Sequence, residues 1–132
     1  MSTEPRSLPE RDYLDMGVSL CRVQAARHPR PRYRVCYRLR MYNAGRASLR
    51  LLGRKWTLRD TAGNTRIIEA DRVFNQQPVL KPGDAFSYGG SAVFEAPPCG
   101  MEVRFFGMDQ GNRPFISPPL VFPAQCFPPR RR

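Results

Sequence analysis

Between Arg32 and Tyr42 the chain alternates without a break. Tyr33, Val35, Tyr37, Leu39 and Met41 are apolar, and Arg32, Arg34, Cys36, Arg38 and Arg40 stand between them. A period of two belongs to a β-strand, whose successive side chains leave opposite faces. One face of this strand is therefore apolar, and the other carries four guanidiniums. Proline reinforces the constraint: 14 of the 132 residues are Pro, roughly twice the usual share of about 5%. Proline breaks helix interiors, so the chain is expected to be built from strands.

Turn signals divide the rest into short runs. Asn43-Ala44-Gly45 ends the Arg-rich strand with residues that tolerate positive φ. A second strand, near 48–59, holds Leu49, Leu51, Leu52, Trp56 and Leu58, and Gly53 marks a bulge where the apolar phase changes. Trp56 reads as a core anchor. Arg54 shares its face, and Lys55 points the other way. Further turns lie at Thr61–Asn64, Lys81–Asp84, Pro97–Gly100 and Asp109–Asn112. They separate strand-like runs near 65–69, 72–79, 85–94, 101–108 and 114–122, with a first strand near 17–24. Seven or eight short strands between regular turns predict an antiparallel β-sandwich. The expected organisation is a flexible arm over 1–15, one domain over 16–122 and a basic tail over 123–132.

The net charge of +11 is concentrated. Residues 22–59 contain eleven Arg and Lys55 and no acid. Such asymmetry marks a surface for anionic partners. Chemistry-bearing groups are sparse by comparison. His28 is the one histidine in the chain, and it lies in a Pro- and Arg-rich stretch with no orienting acid nearby. Cys21, Cys36, Cys99 and Cys126 form no C-x-x-C pair, so they read as free thiols in a reducing compartment rather than zinc ligands. Asp60 and Asp109 stand at turn entrances, and Glu69 with Asp71 makes a poor metal site unaided. There is no P-loop, no H-E-x-x-H and no dinucleotide fingerprint. No catalytic residue, metal ligand set or cofactor site is expected. No apolar run approaches the ~18 residues of a membrane helix, and Met1–Pro9 lacks a secretory apolar segment. A cytoplasmic protein is the expectation.

The middle of the chain resembles the ApaG family. The resemblance is carried by Leu51-Leu52-Gly53-Arg54-Lys55-Trp56, then Asp60, Gly63, Gln77-Pro78, Leu80, Pro82-Gly83, Phe86 and Tyr88. Tyr33–Gly45 upstream and Met101–Phe115 downstream also fit, so about residues 16–122 are covered. The resemblance implies an immunoglobulin- or fibronectin-III-like sandwich of about seven or eight strands. It also implies a link to cobalt resistance and magnesium homeostasis, with no established reaction, and an interaction-module role in eukaryotic relatives. The bacterial family usually carries Gly-x-Gly-x-x-Gly between Asp60 and Pro78, proposed to bind pyrophosphate. In this register the glycines are replaced by Ala70, Arg72 and Asn75. Ala and Arg restrict the close backbone approach that glycine allows, while Arg72 supplies a charge.

Three functions are compatible with these residues. The first is a non-catalytic module that engages a protein or a phosphate-bearing ligand through Arg34, Arg38, Arg40, Arg54, Lys55 and Arg72. In that reading the β-strand arginines form one patch beside Arg54 or Lys55. The second is a nucleic-acid binder, opposed by Tyr33 and Tyr37 facing away from the arginines. The third is an enzyme acting on a phosphate ester or nucleotide. Strand pairing at a sandwich edge would also allow a dimer.

Overall fold

The computed structural model describes residues 14–71 and 76–127. The described residues form nine strands: β1 (Leu14–Ala26), β2 (Arg32–Asn43), β3 (Leu49–Asp60), β4 (Thr65–Ala70), β5 (Val79–Leu80), β6 (Ala85–Phe94), β7 (Pro98–Asp109), β8 (Pro114–Ile116) and β9 (Leu120–Val121). A 3-10 turn, Ala124–Cys126, follows. One sheet has the order β1-β2-β6. The other runs β4-β3-β7-β8, with β5 also on β3 and β9 also on β7. All pairings are antiparallel. The two sheets make the expected β-sandwich.

Alternation explains which residues fill it. Val35, Leu39 and Met41 of β2 are fully buried, and they meet Leu51, Trp56, Val103 and Phe105 from the opposite sheet. The apolar face of β2 is thus half of the core, and burial of such side chains stabilises a fold by about 1.5–3 kcal/mol each. Trp56 is buried as expected, with ring centroids 5.0 Å from Tyr37 and 5.7 Å from Phe122. The bulge foreseen at Gly53 is present, where the β3–β7 register shifts between Leu51 and Gly53. A Cβ at Gly53 would strike the Phe106 ring and the Ala70 carbonyl, so the bulge needs a residue without a side chain.

The turns hold by named hydrogen bonds. Asp60 accepts from the amides of Ala62 and Asn64, and Asp109 from those of Gly111 and Arg113. These are the Asx-type turns their positions suggest. Asn43 works differently from the expectation. Among the described residues positive φ belongs to Gly63, Gly83 and Asn112, not to Asn43 or Gly45. Asn43 is instead fully buried, and its side-chain amide donates to the carbonyls of Ala47 and Leu80 while its oxygen accepts from the Gly45 amide. Its value lies in the amide group, because β2 leaves its sheet here and the crossing backbone needs partners.

Several boundaries also move. The run 114–122 is two short strands, because Pro118 and Pro119 lack the amide hydrogens a ladder requires. The packed unit is wider than 16–122. Leu14 is buried at one end, and Phe127 joins the core at the other, so the first part of the expected tail is packed. The remainder of the expected arm (1–13) and tail (128–132) lies outside the described residues. So does the first half of the expected strand 72–79, whose last residue falls in β5. Among the described residues no helix is long and apolar enough to cross a membrane.

Candidate anion-binding face

The polar face of β2 looks outward from the three-stranded sheet. Arg32, Arg34, Arg38 and Arg40 are all exposed, and Cys36 between them is half-buried. The register fills that gap from the neighbouring strand. Arg22 of β1 lies opposite Cys36 and is itself exposed. Five successive rungs therefore each present one guanidinium, spaced by the two-residue strand repeat of about 6.8 Å. On the β6 side the partners are small: Ser91 beside Cys36, Gly89 beside Arg38 and Ser87 beside Arg40. On the β1 side Gly17 lies opposite Arg40. Larger neighbours stand only beside Arg34, where Val93 lies, and Arg38, where Leu20 lies. The next rung pairs Asp15 with Tyr42. There a hollow of about 390 Å³ opens among Asp15, Gly17, Ser19, Arg40 and Tyr42, at the bulge between Val18 and Leu20.

This face lacks the ion pairing seen elsewhere. The ion pairs Arg59–Glu102 at 3.2 Å and Arg113–Asp109 at 3.0 Å lie elsewhere, and neither touches it. The outer face of the larger sheet is mixed by contrast. Lys55 lies between Glu69 on β4 and Arg104 on β7, and Arg59 bonds to Glu102. One sheet is a basic wall, and the other balances its charges.

The expectation that Arg34, Arg38 and Arg40 would adjoin Arg54 or Lys55 is overturned. Strands β2 and β3 belong to different sheets. Lys55 does point outward, but from the far side of the sandwich. Arg54 shares the inward face of Trp56, because the bulge precedes both residues. It lies half-buried near the phenols of Tyr37 and Tyr88. Burial raises the pKa of both hydroxyls, and the Arg54 charge opposes that rise. Arg54 is thus a core-edge residue rather than part of the wall. Arg72 and Asn75 lie outside the described residues. Ala70, at the first of the replaced glycines, ends β4 opposite Arg54. The small residues after Tyr88 have a packing role, since a Cβ on Gly90 would overlap the Tyr37 phenol.

Two features escaped the sequence. Arg22 sits in a different strand from the other arginines, so only the β1–β2 register reveals its place. The second is a thiol contact between Cys21 and Cys126, which bring β1 and the 3-10 turn together; burial first, then this neighbour, pushes the Cys21 thiol up to about 12. All four cysteines are free. Among the described residues no three His, Cys, Asp or Glu side chains gather as a metal site.

A small two-sheet antiparallel sandwich with one unbalanced basic face defines the class of fold. Comparison with known proteins gives the family. The ApaG domain matches residues 24–108, and the chain belongs to that family. It is 27% identical to Protein ApaG of Acidovorax sp. (strain JS42) over 129 residues, covering 98% of this chain and 84% of that protein. With Protein ApaG of Methylococcus capsulatus it shares 30% over 111 residues, or 82% of this chain and 88% of the relative. The crystal structure of a Bordetella pertussis protein named ApaA superposes with a TM-score of 0.69 at 22% identity, covering 84% of this chain and 93% of that one. That likeness supports the fold.

Proposed function

We propose that this chain is a non-catalytic ApaG-type binding module that engages an anionic partner through the outer face of the β1-β2-β6 sheet. The partner is an acidic protein segment or a phosphate-bearing small ligand. The observation that carries the reading is the row of exposed arginines on β2, completed by Arg22 and clear of the ion pairs among the described residues. Exposed guanidiniums gain little from one another and much from a multivalent anion, and guanidinium forks suit carboxylate and phosphate oxygens alike. Arg54 and Lys55 fall outside this surface. The link to magnesium or cobalt homeostasis that the family implies would run through the partner, not through an ion held by clustered ligands of this chain. Cytoplasmic residence, suggested by the free thiols, belongs to the same reading.

Calorimetric titration at low salt tests it, with pyrophosphate, a nucleoside triphosphate and an acidic peptide as probes. At least one should bind wild-type protein, and the Arg34→Ala/Arg38→Ala/Arg40→Ala variant should lose that binding by about tenfold or more. Failure of all three probes to bind would end the proposal.

A further inference from the structure

We infer that the partner is an extended polypeptide with carboxylates at every second residue, lying along β2. This inference rests on the binding reading above and narrows it to one partner chemistry. Arg32, Arg34, Arg22, Arg38 and Arg40 occupy five consecutive rungs of the sheet, with Arg22 replacing the charge that Cys36 lacks. A peptide in β conformation repeats every two residues over the same ~6.8 Å as the strand beneath it. Alternating Asp or Glu side chains would therefore fall at the same spacing as the guanidiniums, with Arg22 reaching in from the adjacent strand. A block of consecutive acids would point half of its carboxylates away.

The flanks of the row suit a peptide better than a nucleic acid. Leu20 stands opposite Arg38 and Val93 opposite Arg34, and these aliphatic side chains are 56% and 41% exposed. They offer contacts to the methylenes of Glu and to the residues between. Sequence-tolerant binding of single strands relies on aromatic platforms beside the cations. Tyr33 and Tyr37 face the other way, and Tyr42 lies at the last rung, beyond the arginines and opposite Asp15.

Fluorescence anisotropy with labelled probes on the intact chain tests the match. The probes are a peptide alternating Glu and Thr, a peptide of identical composition with the Glu residues in one block, and oligothymidylate. The alternating peptide should bind about tenfold more tightly than the block peptide. Arg22→Ala should weaken the alternating peptide about threefold, as expected for one exposed ion pair, and leave the block peptide unchanged. Arg22 is a surface residue, so the variant should fold, and circular dichroism verifies that. Equal affinity for the two peptides would overturn the register inference while leaving the anion-binding reading intact. Tighter binding of oligothymidylate than of the alternating peptide would overturn it in favour of nucleic acid. Absence of binding by every probe would remove both.

Discussion

Asn43 concentrates several functions in one side chain. It is buried, bonds two carbonyls at 2.8 and 2.9 Å, and accepts the Gly45 amide at 3.0 Å. Its own backbone amide donates to Asp84, and its carbonyl accepts from Gly83. The turn after β2, the end of β5 and the turn before β6 are therefore tied to one residue. Asn43→Ala leaves the buried Leu80 carbonyl without that donor, so a loss of about 3 kcal/mol is expected in urea unfolding. A change within about 0.5 kcal/mol would show that the hub is dispensable. Binding through the arginine row should survive, since Asn43 points into the core. The residue was visible in the sequence as a turn former. Its hydrogen-bonding role was not, because its partners at Ala47 and Leu80 meet only after β2 crosses to the other sheet.

Among the elements, β4 shows how the two sheets are joined. It is the edge of the larger sheet and almost wholly exposed. Arg66 reaches from it to the Val93 carbonyl at 2.6 Å, with its guanidinium 5.4 Å from the centre of the Phe94 ring. Both targets are on β6, at the edge of the other sheet. Arg66→Ala is therefore expected to cost about 1 kcal/mol and to speed amide exchange in β4 before β7. Uniform acceleration across both strands would contradict this clasp. The contrast among strands also explains what the sequence could reveal. Strands β2 and β6 were legible because their alternation is regular, and β7 because Met101, Val103 and Phe105 mark one face. Alternation assigns faces but not neighbours, so nothing in it separated β2 from β3 into different sheets. That is why the wall was expected to include Arg54 or Lys55, and why Arg22 was absent from it.

At the scale of the whole molecule, the inter-sheet phenols couple stability to pH. Tyr37 and Tyr88 have pKa values above the ordinary 10.0, mainly through burial, despite the opposing charge of Arg54. A folded pKa above the unfolded one means the folded protein holds its protons longer. The contribution is complete below pH 10 and is lost as pH rises through the folded values. Tm should therefore fall with increasing pH above 10, and Tyr37→Phe should reduce that slope. A slope unchanged by this substitution would place the alkaline sensitivity elsewhere. The molecule's charge has a similarly specific location. Among the described residues the charge falls on two unlike surfaces: a row of arginines on one sheet and a mixed field on the other. In the proposed binding it is the row that acts, not the net charge. Affinity for an acidic peptide should be compared between two triple variants of equal charge, Arg34→Ala/Arg38→Ala/Arg40→Ala and Lys55→Ala/Arg59→Ala/Arg104→Ala. About tenfold or greater loss is expected for the first and less than about twofold for the second. Equal losses in the two would contradict it.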